Sequence, residues 1–414
     1  MENNITKYVN ECLDCKNPTC IEGCPVHNNI PLFIKLCKQG NYDEALSVIN
    51  KTSTLPSICS LVCPSENQCQ GHCIKNKIGK PVNIPFIEQY ISLMADSKKE
   101  EIVSNGKKVA VIGSGPSGLA CAEKLVKLGY NVDVYDKYDI EGGILTYGIP
   151  NFVLDKQIVN KKVDYIKSLG VNFFMNKELE KDIYLNDLID SYDAIFLGFG
   201  ASIGKRMDAK NNNIDGVIDA NDFLEKMYKN QKHLFSDVKD CLVIGGGNTA
   251  IDAARVAKKN LGCNVSIVYR RSEKEMPARK VEILNAKNDN IDFNFLSNPI
   301  AYIGNDKVKE VECIKMKLVE VEGQRARPVV IDNSNYIIKA DLVIEAISSS
   351  IDTNLTKLLE THSWGGIKVN ENMQTSIPKV FAGGDCVSGP SLVVTAMKDG
   401  ILAAKNIDKY IKGL

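Results

Sequence analysis

The stretch that decides the fold is Lys108-Val-Ala-Val-Ile-Gly113-Ser-Gly115-Pro-Ser-Gly118, an apolar run followed by three spaced glycines. The apolar run predicts a strand, and residues 119–128 predict a helix that Gly129 ends. A second run at 132–135 predicts the next strand, which ends at Asp136. Strand, glycine-rich turn, helix and strand are together typical of a doubly wound α/β domain that binds a dinucleotide.

The three glycines have separate roles in such a turn. Gly113 forms the tight turn, Gly115 lets the backbone approach a pyrophosphate, and Gly118 lets the helix pack on the strand. The helix N-terminus then faces the phosphates and favours their negative charge. A glycine-rich turn without a ligand is the alternative, but the flanking strand and helix favour a dinucleotide site.

A second copy of the pattern follows an apolar run at 241–244. It reads Gly245-Gly-Gly247-Asn248-Thr249-Ala250, with a helix predicted to about residue 260 and a strand at 265–269. Ala250 stands where the first copy has its third glycine. We therefore expect two dinucleotide domains, and the cofactor of the second one should contact Gly245, Gly247, Asn248, Thr249 and Ala250.

The residue at the end of the second strand differs between the copies. Asp136 can accept hydrogen bonds from a ribose diol but would repel a 2′-phosphate. The second copy has Arg270 and Arg271 there, and guanidinium groups bind phosphate through paired hydrogen bonds. The first domain should therefore take the adenosine of FAD or NAD, and the second should prefer NADPH. A solvated arginine pair is the alternative.

The C-terminal stretch Val380-Phe-Ala-Gly383-Gly384-Asp385 predicts a buried strand, with a helix at about 391–410. Such a strand is typical of two-domain flavoproteins, where it returns to the first domain and its aspartate holds the ribityl–pyrophosphate region of FAD. The FAD domain is then discontinuous, and strands at 194–197 and 342–346 mark the crossings to an inserted NADPH domain.

Most of the 14 cysteines lie in two groups before residue 74. The groups read Cys12-x2-Cys15-x4-Cys20-x3-Cys24-Pro25 and Cys59-x3-Cys63-Pro64-x4-Cys69-x3-Cys73. Both are similar to the bacterial ferredoxin run that binds four-iron clusters. Zinc is the competing interpretation, but a structural zinc site has no use for neighbouring FAD and NADPH domains, whereas a cluster accepts the single electrons that a flavin releases.

The charge balance and the N-terminus exclude several classes of partner. Lys+Arg and Asp+Glu both total 51, so no global field attracts nucleic acid or an anionic membrane. No apolar run is long enough to span a bilayer, and residues 1–10 lack the features of a signal peptide. We therefore expect a cytoplasmic protein with small-molecule ligands. Separately, the charged stretch at 97–106 predicts a linker.

Four motifs carry a resemblance to a known family: residues 12–25, Gly142-Gly143-Ile-Leu-Thr-Tyr147-Gly-Ile-Pro150, Tyr269-Arg-Arg-Ser-Glu-Lys-Glu-Met276-Pro-Ala, and the Gly383-Gly384-Asp385 stretch. On these motifs the whole chain resembles the small (β) subunit of NADPH-dependent glutamate synthase and its relatives. The relatives include the flavin subunit of ferredoxin:NADP transhydrogenases, sulfide dehydrogenase-type subunits and the N-terminal half of dihydropyrimidine dehydrogenase.

The resemblance implies a set of cluster ligands. One [4Fe–4S] cluster would be held by Cys12, Cys15, Cys20 and Cys73, and a second by Cys24, Cys63, Cys69 and the carboxylate of Glu88. Gln89 and Cys59 stay alternatives to Glu88, and Cys37 is expected to be a buried helix residue. Gly142 and Gly143 are assigned to the cofactor site on the same grounds.

The prediction is an α/β protein with two doubly wound dinucleotide domains, one inserted in the other, after a helical iron–sulfur domain. Its expected bounds are 1–100 for the clusters, 101–200 and 348–414 for FAD, and 201–347 for NADPH. Electrons would pass from NADPH through FAD and two clusters to a large catalytic subunit or another acceptor protein. Hydride transfer requires stacked rings, so no catalytic side chain is expected. A transhydrogenase or dihydropyrimidine dehydrogenase subunit and a non-catalytic redox sensor are the alternatives.

Overall fold

The structure is a computed structural model that describes residues 2–96, 101–323 and 325–414, with side chains from residue 5. Residues 97–100 of the predicted linker lie outside the described residues. The described chain divides into two compact units. The first contains Met1–Thr146, Asn151–Ala201 and Ile351–Leu414, and the second contains Tyr147–Pro150 and Ser202–Ser350.

In the described residues of the first unit up to residue 201, six α-helices come before an alternation of strands and helices. The helices are α1 (Glu2–Val9), α2 (Thr19–Glu22), α3 (Ile30–Lys38), α4 (Tyr42–Asn50), α5 (Pro56–Val62) and α6 (Ile84–Met94). The alternating elements are β1 (Lys108–Ile112), α7 (Pro116–Lys127), β2 (Asn131–Tyr135), α8 (Ile144–Tyr147), α9 (Lys156–Ser168), β3 (Asn172–Phe174), α10 (Leu185–Ser191) and β4 (Ala194–Leu197).

The second unit is built mainly of strands, and the chain then returns to the first unit. The second unit contains β5 (Ile203–Gly204), β6 (Val217–Asp219), α11 (Ala220–Tyr228), β7 (Asp240–Ile244), α12 (Asn248–Leu261), β8 (Asn264–Tyr269), α13 (Lys280–Asn288), β9 (Asp292–Phe295), β10 (Ser297–Ile303), β11 (Glu310–Val319), β12 (Arg327–Val330), β13 (Tyr336–Lys339), β14 (Leu342–Glu345) and β15 (Ser349–Ser350). The returning elements are β16 (Val380–Ala382), α14 (Asp385–Ser388) and α15 (Val393–Lys412).

Each unit contains a five-stranded parallel sheet. The first sheet has the order β16-β4-β1-β2-β3, so the C-terminal strand joins the N-terminal ones as predicted. The second has the order β6-β14-β7-β8-β9, and β10–β13 form an antiparallel sheet beside it. Strands β1, β4 and β14 are almost entirely buried because helices cover both faces of a parallel sheet. The predicted α/β fold class is confirmed.

The predicted element bounds were wrong by one to three residues at several ends. Helix α7 begins at Pro116 and not at Leu119, because proline suits the first helical turn and the Leu119 N–H donates to the Gly115 carbonyl at 2.9 Å. Helix α15 runs to Lys412, beyond the predicted end. Its Gly400 lies against α7, where an added Cβ would stand 2.1 Å from the Ser117 carbonyl oxygen.

The division into three domains stays a prediction, because the helices α1–α6 share a unit with the first parallel sheet. These helices have an apolar core of their own, which includes Phe33, Ile49 and Ile87. They also bond to the sheet domain: the Lys124 ammonium donates to the Asn50 carbonyl at 2.9 Å. The second unit includes Tyr147–Pro150, which the predicted bounds assigned to the FAD domain.

Candidate cofactor-binding sites

The first glycine-rich loop has the geometry that its sequence predicts. Gly113 has a φ of +103°, and an added Cβ there would lie 2.5 Å from the Gly198 carbonyl oxygen. A Cβ on Gly118 would lie 1.8 Å from the Gly113 carbonyl oxygen, so only glycine lets the helix approach this closely. A Cβ on Gly115 would meet nothing within 4 Å. Gly115 therefore faces open space at the N-terminus of α7, where a phosphate fits.

Asp136 organises this loop. The side chain is buried, and its Oδ2 accepts hydrogen bonds from the N–H and the hydroxyl of Ser114, both at 2.6 Å. The Ser114 hydroxyl oxygen accepts the Gly142 N–H at 3.1 Å, and Oδ1 of Asp136 accepts the Tyr138 N–H at 3.0 Å. The sequence did not predict the role of Ser114, because the motif allows any residue at this position. A contact between Asp136 and a ribose stays a prediction. The carboxylate has further lone pairs that can accept hydrogen bonds from a ribose diol.

The motif around Gly142 and Gly143 lies against the glycine-rich loop. Gly142 has a φ of +109° and Gly143 a φ of +53°. An added Cβ on Gly143 would lie 3.0 Å from the Gly115 Cα. The structure therefore brings together two segments that the sequence assigned separately to the cofactor.

The C-terminal stretch reaches the same loop. Gly384 has a φ of +78°, and an added Cβ there would lie 2.9 Å from the Ser117 hydroxyl oxygen. The Gly384 N–H donates to Asp399 Oδ2 at 2.9 Å, and Asp385 Oδ1 accepts the N–H and hydroxyl of Ser391 at 3.1 Å. Burial raises the pKa of both Asp385 and Asp399. The glycine-rich loop, the segment at Gly142 and Gly143, and the C-terminal stretch therefore lie together. With the N-terminus of α7 and the open space at Gly115, this arrangement fits a flavin dinucleotide.

The second glycine-rich loop repeats the first one. Gly245 has a φ of +146°, and a Cβ there would lie 2.3 Å from the Ala346 carbonyl oxygen. A Cβ on Gly247 would meet nothing within 4 Å, so this position again faces open space at a helix N-terminus. Ala250 is fully buried between helix and strand. Asn248 Oδ1 accepts the Arg279 N–H at 2.9 Å, so the start of α12 contacts the end of the 270–279 loop.

The two predicted phosphate-binding arginines differ in their surroundings. Arg270 is exposed directly after β8, whereas Arg271 donates from Nε to the Ala326 carbonyl at 2.9 Å. Arg325, in the loop between β11 and β12, donates to the Tyr269 hydroxyl at 3.0 Å and to the Glu275 carbonyl. Arg325 was missed from the sequence because it lies 56 residues beyond Tyr269 and has no motif spacing to it. Three guanidinium groups, those of Arg270, Arg271 and Arg325, therefore lie near the end of β8.

Four cysteines surround one cavity of the helical part. Cys12, Cys15, Cys20 and Cys73 line it together with Leu13, Ile74 and Val82. Burial raises the pKa of Cys12, and it raises that of Cys20 to about 11. A buried thiolate in such a site requires a cation, and iron would supply it. The residues thus fit the first cluster that the resemblance implied.

A second cavity is lined by Cys24, Cys63, Cys69 and Glu88, and also by Cys59. Burial raises the pKa of Glu88 to about 8 and that of Cys69 well above its usual range, so neither anion is stable there without positive charge. Cys59 is buried beside the same cavity and stays an alternative ligand. Gln89 does not line this cavity, and Cys37 is buried in α3.

The cysteine sets surround cavities and do not converge on one point. Within the described ranges, no three His, Cys, Asp or Glu side chains are arranged to share a single metal ion. None of the helices in the described part of the chain is long and apolar enough to cross a membrane.

The fold and the sites define a flavin-dependent oxidoreductase that uses a pyridine nucleotide and has an iron–sulfur domain. Residues 107–400 match the family described as pyridine nucleotide-disulphide oxidoreductase, and residues 1–100 match the dihydropyrimidine dehydrogenase domain II, 4Fe–4S cluster. The chain belongs to the pyridine nucleotide-disulphide oxidoreductase family. This finding confirms the predicted class of enzyme and its FAD, NADPH and four-iron cofactors.

Two curated relatives match almost the whole chain. The glutamate synthase [NADPH] small chain of Escherichia coli (strain K12) is 36% identical, over 99% of this chain and 92% of the relative. The NADP(+)-dependent formate dehydrogenase subunit beta of Moorella thermoacetica is 31% identical, over 95% of this chain but 60% of the relative. The resemblance to the glutamate synthase small subunit family is confirmed.

The fold also matches solved structures. Mycobacterium tuberculosis FprA in complex with NADPH has a TM-score of 0.65 and 19% identity, over 74% of this chain and 85% of that one. Lactococcus lactis thioredoxin reductase has a TM-score of 0.57 and 19% identity, over 74% of this chain and all of that one. At these identities the likeness concerns the fold alone.

Proposed function

We propose that this chain is the small subunit of a glutamate synthase, which oxidises NADPH and delivers electrons through two [4Fe–4S] clusters to a large catalytic subunit. The observation that carries the proposal is the full-length match: the chain covers 92% of the Escherichia coli small chain but only 60% of the longer formate dehydrogenase subunit. The presence of 14 free cysteines suits a reducing compartment such as the cytoplasm.

The residues of this chain act by binding and orienting. Gly115 and Gly247 let the two helix N-termini approach a pyrophosphate, and Asp136 holds the first loop in place through Ser114. Asp385, at the start of α14, is positioned by Ser391 for the ribityl–pyrophosphate region. Bound FAD supplies the conversion of a two-electron hydride into single electrons. No side chain is required to move a proton in this step.

The cluster residues would hold iron in the two cavities. Cys12, Cys15, Cys20 and Cys73 form the first ligand set. Cys24, Cys63, Cys69 and Glu88 form the second, with a carboxylate in place of the fourth thiolate. The raised pKa values in both cavities support these assignments, because binding to iron replaces the missing solvation of the anions.

A second candidate is an electron-donor subunit for a different acceptor. The formate dehydrogenase relative favours it, as does the NADPH-Fe(3+) oxidoreductase subunit beta of Geobacter sulfurreducens, which is 31% identical over 98% of this chain. Their names show that proteins related to this chain serve several acceptors. A transhydrogenase flavin subunit and a dihydropyrimidine dehydrogenase subunit belong to the same group of alternatives.

The experiment is reconstitution under anaerobic conditions. The purified chain should contain one FAD and about eight iron atoms, bleach its flavin with NADPH, reduce artificial dyes and make no glutamate from glutamine and 2-oxoglutarate. Addition of the glutamate synthase large subunit from the same cell should start NADPH-dependent glutamate formation. Dye reduction without glutamate formation in that mixture would favour a different acceptor. A flavin that NADPH does not bleach would support a non-catalytic redox sensor and reject both proposals.

A further inference from the structure

The loop between β11 and β12 brings Arg325 to the end of β8. The Arg325 guanidinium donates to the Tyr269 hydroxyl at 3.0 Å and also to the Glu275 carbonyl. The Tyr269 hydroxyl donates to the same carbonyl at 3.0 Å. Tyr269 is the last residue of β8, so Arg325 lies beside the strand end from which Arg270 and Arg271 follow.

Tyr269 links this position to the glycine-rich loop. Its ring packs so closely on Gly246 that an added Cβ there would lie 2.5 Å from a ring carbon. The Ala278 N–H donates to the Gly246 carbonyl at 3.2 Å and ties the 270–279 loop to the same glycine. In domains of this type the adenosine ribose lies beside the end of the second strand, next to the glycine-rich loop. Arg325 therefore lies where a 2′-substituent of that ribose would be.

The acidic side chains of the 270–279 loop have other partners. The Glu273 carboxylate pairs with the Lys287 ammonium at 2.7 Å. The Glu275 carboxylate accepts the N–H and the hydroxyl of Ser272, at 3.1 and 2.6 Å, and the hydrogen bond from the Ser272 side chain lowers its pKa. Arg325 contacts the backbone carbonyl of Glu275 and not its carboxylate. Both carboxylates thus bond to groups other than the three guanidinium groups, which suits an anion at this position.

The neighbouring arginine has a supporting contact. Arg271 donates from Nε to the carbonyl of Ala326, the residue next to Arg325. This bond fixes the loop that carries Arg325, although the other donors of Arg271 stay available to a ligand. Arg270 is exposed at the strand end.

We propose that Arg325 is a specificity-determining residue for NADPH, which binds the 2′-phosphate together with Arg270, while Arg271 holds the Arg325 loop in place. The inference rests on the proposed function in one respect, namely that the second glycine-rich loop binds NADPH. Two guanidinium groups from different segments can enclose a phosphate from two sides.

The test uses two probes of the adenosine half, adenosine 2′,5′-bisphosphate and AMP, with binding to the holoprotein measured by calorimetry. Arg325→Gln should weaken bisphosphate binding by about ten- to hundredfold, the loss expected for one charge-assisted hydrogen bond. AMP binding should change by less than about twofold, because AMP lacks the 2′-phosphate. Arg325→Lys should recover part of the affinity, since it restores the charge but not the paired geometry.

Arg327→Gln is the matched control, because it makes the same change in charge two residues further along the same hairpin, and it should leave both affinities unchanged. Equal weakening of both probes by Arg325→Gln would indicate a structural role through Tyr269 and overturn the proposal. Unchanged bisphosphate binding would overturn it too. If the wild-type protein itself binds AMP as tightly as the bisphosphate, the NADPH assignment fails together with the inference. Discrimination that survives in Arg325→Gln rejects the inference alone.

Discussion

Gly115 precedes α7 and Gly118 lies in its first turn, and replacing each with alanine should affect a different property of the protein. Gly115 has a φ of −73°, which any residue can adopt, and its added Cβ would meet nothing within 4 Å. Alanine there restricts the unfolded chain, which stabilises by about 0.4–1 kcal/mol, but is a poorer N-cap by a similar amount. The free energy of unfolding of the flavin-free protein should therefore stay within about 1 kcal/mol of wild type.

The affinity for FAD, unlike the stability, should fall in Gly115→Ala. The methyl group of Gly115→Ala would occupy the space through which a pyrophosphate reaches the N-terminus of α7. The loss of one hydrogen bond to a charged group costs about 1.5–3 kcal/mol, so FAD affinity should fall about ten- to hundredfold. Gly118→Ala places its Cβ 1.8 Å from a backbone oxygen and should lower the free energy of unfolding by about 1–3 kcal/mol or more.

The assay has two measurements for each variant. Urea unfolding of the flavin-free protein reports stability, and quenching of flavin fluorescence reports the Kd for FAD. Gly247→Ala is the matched control, since it makes the same change in the second loop and should weaken NADPH but not FAD. A Gly115→Ala variant that binds FAD as tightly as wild type would refute the reasoning that the pyrophosphate approaches this residue. A Gly118→Ala variant of wild-type stability would refute the packing role.

Three further predictions concern the clusters, the nucleotide and the pH dependence of stability. Glu88→Ala should change the EPR signal of one cluster and leave the other intact; an unchanged spectrum, together with a changed one in Cys59→Ala, would move the fourth ligand to Cys59. Replacing Arg270 and Arg271 together with alanine should raise the KM for NADPH far more than for NADH, because only NADPH has a 2′-phosphate; equal effects on both nucleotides would contradict the role of this pair at the phosphate. Burial raises the pKa of Asp399, so the folded protein binds this proton more tightly than the unfolded chain, and the contribution of this group to stability should fall as the pH rises from about 4 through the raised pKa. Asp399→Asn should remove part of that fall in urea titrations across this range, and parallel curves would contradict the burial effect.

The glycine-rich loop and the C-terminal stretch pack against each other. Ser117 lies between them, because its hydroxyl oxygen is close to Gly384 and its carbonyl is close to Gly400. The tight crossing of α7 and α15 therefore joins the N-terminal and C-terminal segments of the first unit. A larger residue at Gly400 would separate the two helices and move the glycine-rich loop that begins at Gly113.

The sequence by itself determined the elements and the residues whose chemistry is local. Strands β1 and β4 lie where their apolar runs predicted, since a strand buried on both faces has a continuous apolar pattern. The two glycine-rich loops were also predictable, because the turn requires glycine at fixed spacing along the chain. The predicted element ends differed from the structure by one to three residues, because local features such as Pro116 in the first helical turn shift them.

Only the tertiary structure decided which distant residues meet. It brings Cys73 to the cavity of Cys12, Cys15 and Cys20, a placement that the resemblance implied but that the spacing within each cysteine group does not show. It likewise brings Asp399 to Gly384 and Arg325 to Tyr269. Helical and strand periodicity encode neighbours within one element, whereas these contacts join different elements and depend on how the sheets and helices pack. Local pattern therefore predicted the cofactors, and packing determined which distant side chains lie beside the predicted sites.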